Sequence, residues 1–237
     1  MRPDNRAHNE LRPVVIHRDV VKRAVGSALI ELGDTHVLCT ASVLAQVPAW
    51  FKDTRRGWIT AEYRMLPACA GGERIPRDSQ RGRVFEIQRL IGRSLRATVE
   101  MTLLGGRTIW IDCDVIQADG GTRCASVTGA FVALHDALTR MKTDGSIAQW
   151  PVLGFCAAAS AGLVDGEARL DLCYAEDVVA EVDLNVVMRD DDRFIEIQGT
   201  GENDCFDKAT LDTLIELGRV GANQLIKEQK KVLGLEP

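Results

Sequence analysis

Residues 107–142 constrain the fold more tightly than any other stretch. In RTIWIDCDVIQ (107–117), Ile111, Cys113 and Val115 alternate with Asp112 and Asp114, the period-two pattern of a strand with one apolar and one polar face. Gly120 and Gly121 end that strand, and TRCASVTGAFVALHDALTRMK (122–142) follows as a helix. The chain must therefore supply a sheet for this strand and a layer for this helix to cover.

The flanking segments repeat the theme. Residues 24–43 read as two β-branched strands around the turn Gly33–Asp34, and a loop-rich stretch follows. Over 83–102, Ile87, Leu90, Ile91 and Leu95 fall at helical spacing, with Arg89, Arg93 and Arg96 on another face. Beyond Pro151 come a strand near 153–164, the turn Asp165–Gly166, ARLDLC (168–173), VAEVDLNVVM (179–188), an RDDDR turn and FIEIQ (194–198). A closing helix is capped by Asp207; Leu211, Leu214, Ile215, Ala222, Leu225 and Ile226 form its apolar face, on which Gly218 permits a close helix contact. Both halves are thus strands followed by a helix. The expectation is an α+β chain of two fused, similar units, roughly 11–145 and 150–235 with a boundary near Asp144–Pro151, acting as one domain over 1–237.

A chain of 237 residues with 46% hydrophobic side chains can bury a substantial core. No apolar run reaches the roughly 18–20 residues of a membrane span, and MRPDNRAHNELRP is too polar for a signal-peptide core, so a cytoplasmic protein is expected. The seven cysteines are scattered with no C-x-x-C pair, which fits small core residues in a reducing compartment. The four histidines, at 8, 17, 36 and 135, lack metal-ligand spacing.

Charge is distributed unevenly. Residues 1–110 carry 18 Lys+Arg against 11 Asp+Glu, a balance of +7, whereas 111–237 carry 11 against 23, a balance of −12. A basic half suits a polyanion and an acidic half suits a divalent cation; uneven surface charge without function fits as well.

Three loci carry chemistry. The first is GGTR (120–123), where a glycine turn opens a helix: free amides, the Thr122 hydroxyl and the Arg123 guanidinium together suit a tetrahedral oxyanion, though such a pair of glycines also serves as a simple turn. Neither a Walker loop nor a dinucleotide fingerprint is present, and Ala158, Ser160 and Gly162 do not make a serine-hydrolase elbow. The second is the stretch from Arg55 to Arg96, with ten arginines and no lysine, a bias toward phosphate or RNA contact. Within it Arg83, at a helix start, is placed to converge with Arg123 on one anion, whereas Arg89, Arg93 and Arg96 suit salt bridges or a subunit interface. The third is EDVVAEVD (176–183): if extended, it puts Asp177 and Asp183 on one face, where they share a divalent ion or merely solubilise a strand end.

With GWITAEYRMLP (57–67), EIQRLIGRSLRA (86–97), IDCDVIQADGGTR (111–123), TGAFVAL (128–134), DLCYAEDVVAEVDLNVVM (171–188) and EIQGTGE (196–202) in view, the chain strongly resembles the ribonuclease PH family nearly end to end. Members are phosphate-dependent exoribonucleases related to polynucleotide phosphorylase and exosome ring subunits. The resemblance implies a duplicated fold of the ribosomal-protein-S5-domain-2 type and a homo-hexameric ring of three dimers. The activity implied is trimming of 3′ ends of transfer RNA precursors, with a part in ribosomal RNA processing. Motif by motif, it places phosphate binding on Arg83, Gly121, Thr122 and Arg123, and catalysis with Mg2+ or Mn2+ on Asp177 and Asp183. Contact with transfer RNA is placed on Arg74 and Arg77. Inorganic phosphate is the expected co-substrate. The sequence departs from the family after MLP, where Ala68, Cys69 and Ala70 replace the usual basic start, and between Ser79 and Gly82, where it is shorter. The alternative reading is an RNA-binding ring subunit with little catalysis, against which the retained aspartates and GTR turn speak; a small-molecule kinase would need a nucleotide loop the chain lacks.

Overall fold

The computed structural model describes residues 2–51, 55–72, 74–76, 82–202 and 205–235. Strands β1 (Val14–Arg18), β2 (Gly26–Leu32), β3 (Thr35–Leu44), β4 (Trp58–Met65) and β5 (Thr108–Gln117) form one sheet in the order β1-β2-β3-β5-β4. All its neighbours are antiparallel except β4 and β5. Strands β6 (Cys156–Val164), β7 (Glu167–Leu170), β8 (Val182–Arg189) and β9 (Phe194–Gly201) form an antiparallel sheet ordered β7-β6-β8-β9. The helices are α1 (Gly82–Arg96), α2 (Thr122–Thr143), the single turn α3 (Tyr174–Asp177) and α4 (Lys208–Leu233). This is an α+β architecture, as the sequence pattern implies.

Helix α2 is the centre of the molecule. Every residue from Cys124 to Leu138 is buried, because the helix packs on β2, β3 and β5 and also on β6. A helix covered on all sides needs apolar residues all round rather than one stripe, which is how TGAFVAL reads. Phe131 is fully buried here, and truncating it to alanine would cost about 3–5 kcal/mol. Polar ties add direction: Gln229 Nε2 of α4 donates to the carbonyls of Thr128 at 2.9 Å and Cys156 at 2.8 Å, joining both helices to β6. Six of the seven cysteines are buried free thiols. No helix among the described residues is long and apolar enough to cross a membrane.

Several local expectations change. Strands β1 and β4 occupy stretches not read as strands; β4 lies in the region taken as loop. Helix α1 stops at Arg96 rather than running to 102, because Thr98 Oγ1 turns back to the Leu95 carbonyl at 2.7 Å and Val99 bridges Val152. Gly218 makes no helix contact of the expected kind: a Cβ there would lie 2.5 Å from Val186 Cγ2, so the glycine brings α4 close to strand β8. Segment 176–183 is not extended, since α3 and a turn occupy 174–181 before β8 begins at Val182.

The charge asymmetry also finds a partly internal use. Arg2 pairs with Glu176, Arg12 with Asp171, Arg18 with Asp136 and Arg93 with Glu196, so arginines of the basic half neutralise acids of the other.

Candidate active site

The N-terminus of α2 forms the floor of a cleft of about 850 Å3. Gly120 and Gly121 have φ of 72° and 66°, the left-handed region that side chains avoid. Gly120 is also pressed against neighbouring chain: an added Cβ would lie 2.6 Å from the Leu172 carbonyl oxygen and 2.9 Å from the Tyr174 nitrogen. The glycine therefore serves two ends. It turns the backbone so that the first amides of α2 open on the cleft, and it lets the turn pack on the segment leading into α3.

Thr122 is buried, and its Oγ1 accepts a hydrogen bond from the Tyr63 hydroxyl of β4 at 2.9 Å. Burial pushes the Tyr63 pKa upward, keeping the phenol protonated and able to donate. With one lone pair engaged, the Thr122 hydroxyl can direct its own hydrogen elsewhere. Arg123 extends across the cleft, where its Nη1 donates to Gln198 Oε1 of β9 at 2.9 Å and to Glu86 Oε1 of α1 at 3.3 Å. One turn before Glu86, the exposed Arg83 lines the same cleft. Two guanidinium groups, one hydroxyl and a set of helix-terminal amides thus share one opening, a donor set matched to a tetrahedral oxyanion.

Asp177 and Asp183 face the same cleft. Their meeting does not come from strand periodicity: Asp177 ends α3, and Asp183 is the second residue of β8. Burial raises the pKa of Asp177 despite Arg83 and Arg123, and Glu202 adds to the rise. Burial likewise raises Asp183, with the negative charge of Asp177 next in size, while Arg123 and Asn185 oppose it. These are two partly desolvated, mutually repelling carboxylates. A hard divalent cation of the magnesium or manganese type is suited to such all-oxygen donors, completing its shell with water and substrate phosphate. Among the described residues no group of three or more His, Cys, Asp or Glu could by itself hold a metal, so the pair would supply only part of the shell.

The supporting residues were not legible beforehand. Cys124, directly after Arg123, donates its thiol hydrogen to Asn185 Oδ1 at 3.2 Å. Burial pushes the Cys124 pKa far up, so it stays a thiol. The bond turns the Asn185 amide so that Nδ2 donates to Asp183 Oδ2 at 3.2 Å. Tyr63, Glu86, Cys124, Asn185 and Gln198 are ordinary residue types within strands and helices, and only three-dimensional proximity reveals their use.

Of the other arginines, Arg93 makes a bidentate pair with Glu196, its Nε at 2.8 Å and its Nη2 at 2.5 Å. Arg96 lies over the Trp58 ring at 4.5 Å and donates to the Ile59 carbonyl at 2.8 Å. Arg93 is thus the salt bridge expected of it, whereas Arg96 turns to an aromatic face and a carbonyl. Arg74 is exposed and does not line the cleft, and Arg77 lies outside the described residues.

Residues 10–139 match the model of the 3′ exoribonuclease family, domain 1, and residues 154–221 that of the 3′ exoribonuclease family, domain 2. The chain belongs to the 3′ exoribonuclease family. A ribonuclease PH of Synechococcus is 51% identical over 240 residues, covering 99% of this chain and 98% of that one, in agreement with the resemblance drawn from the motifs. Among solved structures, rice (Oryza sativa) Rrp46 superposes with a TM-score of 0.80 at 21% identity, covering 98% of this chain and 100% of that one. A chain of the Archaeoglobus fulgidus exosome with RNA bound to the active site gives a TM-score of 0.80 at 23% identity, with coverage of 96% and 92%. At these identities the two structures speak for a shared fold. Family membership and the cleft agree on the class of protein: an exoribonuclease acting from 3′ ends.

Proposed function

We propose that the chain is a phosphate-dependent 3′-to-5′ exoribonuclease that trims transfer RNA precursors and releases nucleoside 5′-diphosphates. The observation that carries this reading is the placement of Arg83, Thr122 and Arg123 in one cleft with Asp177 and Asp183. Inorganic phosphate is held by the two guanidinium groups, the Thr122 hydroxyl and the amides at the start of α2. Its oxygen attacks the terminal phosphodiester in line, and the 3′ oxygen of the shortened RNA leaves.

The chemistry demands that two anions be brought together, so charge neutralisation and alignment matter more than a strong base. Arg83 and Arg123 screen the phosphate charge. Asp177 and Asp183 would hold Mg2+ or Mn2+, which would supply further charge neutralisation. One of the two aspartates also serves to move a proton at the leaving 3′ oxygen. An ester is exchanged for an anhydride of comparable energy, and the reaction therefore runs in both directions. The assembly we propose is a cytoplasmic homo-hexameric ring, with Arg74 and Arg77 among its RNA contacts; this rests on the family relationship and the fold shared with exosome chains.

The test is direct. A short RNA is incubated with the protein and Mg2+, with and without inorganic phosphate, and the released nucleotides are separated. Diphosphates formed only with phosphate are expected. Monophosphate products, or decay that ignores phosphate, would overturn the reading.

A further inference from the structure

The amino-terminal segment is bound to the back of the site by charged groups with no solvent around them. Arg2 is 2% exposed. Its Nε donates to Glu176 Oε1 and its Nη2 to Glu176 Oε2, both at 2.8 Å, and Nη2 also reaches the Asp171 carbonyl at 2.9 Å. Arg12 grips Asp171 in the same forked way: Nε to Oδ2 at 3.0 Å and Nη2 to Oδ1 at 2.7 Å. The other side of the Arg12 fork is turned to the phosphate turn, with Nη1 donating to the Asp119 carbonyl. Arg6 adds a bond from Nη2 to the Asp171 carbonyl at 3.0 Å.

Two features separate this clasp from ordinary stabilisation. A buried ion pair is a poor source of net stability, because desolvation of both charges offsets their attraction. In addition, α3 has no core of its own. Glu176 is its one buried residue, and a single helical turn is far too short to persist unaided. The helix that carries Asp177 is thus anchored through the neighbouring Glu176, which Arg2 grips with two bonds at 2.8 Å and Arg169 Nη1 meets at 3.3 Å, and through Tyr174 N, which donates to Asp119 Oδ1 at 3.1 Å. Neither Arg2 nor Arg12 lines the cleft.

We propose that Arg2 and Arg12 are positioning residues of the exoribonuclease site: Arg2 fixes Asp177 through Glu176, Arg12 fixes the Asp119–Gly121 turn, and Asp171, with its neighbouring backbone, joins the two grips. Residues 2–12 thereby set the separation between the bound phosphate and the carboxylates. This rests on the functional reading given above.

The two grips should fail differently, which makes the proposal testable in the full-length protein. Arg2→Lys keeps the charge and loses the fork, and Arg2→Ala loses both; Arg12→Lys does the same to the second grip as Arg2→Lys does to the first. Three quantities are measured: kcat and phosphate KM for RNA phosphorolysis, Mn2+ binding by calorimetry without RNA or phosphate, and the midpoint of thermal unfolding. Arg2→Lys should lower kcat and weaken Mn2+ binding by about tenfold, the scale of one lost supporting hydrogen bond to a charged group, with phosphate KM within about twofold. Arg2→Ala should go further in the same direction. Arg12→Lys should raise phosphate KM about tenfold and leave Mn2+ binding within about threefold. Wild-type kcat and Mn2+ affinity in Arg2→Lys would overturn the proposal. So would loss of all quantities in parallel with a fall in the unfolding midpoint, the mark of a purely structural role. Turnover by the wild type without phosphate would instead sink the functional reading, and the Mn2+ measurements would still decide whether Arg2 positions Asp177.

Discussion

The Tyr63 hydroxyl donates to Thr122 Oγ1 at 2.9 Å, linking edge strand β4 to the first residue of α2. Because Thr122 then has its remaining donor free, Tyr63 orients the hydroxyl without entering the cleft. Tyr63→Phe keeps the ring, which is 1% exposed, and deletes only this bond. A neutral hydrogen bond is worth about 1 kcal/mol, so phosphate KM should rise about fivefold with the fold intact. Initial rates against phosphate concentration check this; an unchanged KM would show that Thr122 does not depend on Tyr63.

Arg123 is held by Glu86 and Gln198, which fix the position of its charge. Arg123→Ala should reduce phosphate-dependent turnover at least about 100-fold, the usual cost of removing a charge-stabilising donor, while circular dichroism and RNA binding stay near wild type. Arg123→Lys should recover only part of the loss, since an ammonium cannot span both partners and the anion.

How much of this was legible in the sequence follows from the range of the interactions. The strand–glycine–helix passage from Ile111 to Leu138 is written in local periodicity, because burial imposes the alternation directly. Strand β1 leaves little trace in the sequence, since it is an edge strand whose burial is only partial, with His17 and Arg18 exposed. Strand β4 is masked in the sequence although Ile59, Ala61 and Tyr63 are buried and alternate with half-buried residues, because glycines and arginines around it resemble a loop. Asp177 and Asp183 do line one cleft, but a helical turn followed by a strand brings them there, not the extended periodicity of the segment. A periodicity argument cannot see Glu176 being pulled inward by Arg2, 174 positions away, and this contact helps to anchor the helical turn.

The Asp177 and Asp183 shifts fix the sign of the pH dependence. Burial raises both, and Asp177 raises Asp183 further. A carboxyl whose folded pKa lies above its unfolded value binds protons more tightly when folded, so stability falls as pH rises from the unfolded pKa through the folded one. Above both values the penalty is fully present. In the metal-free protein Asp183→Asn should therefore raise stability by about 1 kcal/mol, or about 2–4 °C in the unfolding midpoint at this chain length. The same variant should lose about 100-fold or more in turnover with RNA binding retained. Scanning calorimetry and filter binding check the two halves; a variant less stable than wild type would contradict the strain assigned to Asp183.

Asn185 works on the same group in the opposite direction. Its Nδ2 donates to both Asp183 oxygens, at 3.4 and 3.2 Å, and this bond favours the ionised form. Metal binding requires that form, so protons compete with the cation and set the acidic limb of the activity profile. Asn185→Ala removes the bond and should move that limb to higher pH, with the deficit largest in acid and shrinking as pH rises. A pH–rate profile of both proteins at fixed Mg2+ tests it; a deficit equal at every pH would mean that Asn185 acts through shape alone.

Gly120 ties the turn chemistry to the clasp. Its φ of 72° disfavours any side chain, and a Cβ would meet the Leu172 carbonyl oxygen at 2.6 Å, the Cys173 carbonyl carbon at 2.8 Å and the Tyr174 nitrogen at 2.9 Å. All three are backbone atoms that cannot rotate away, so Gly120→Ala must push the turn and the entry to α3 apart. The strain should cost about 1–3 kcal/mol of stability. Because the displaced segments carry Thr122 and Arg123 on one side and Asp177 on the other, turnover should fall about 100-fold even where the protein is fully folded. Gly145, with φ of 78° but nothing within 4 Å of its Cβ position, is the matched control. Gly145→Ala carries only the backbone cost and should leave kcat near wild type. Equal kinetic losses in the two variants would show that backbone strain, and not the spacing between the phosphate turn and α3, limits the reaction.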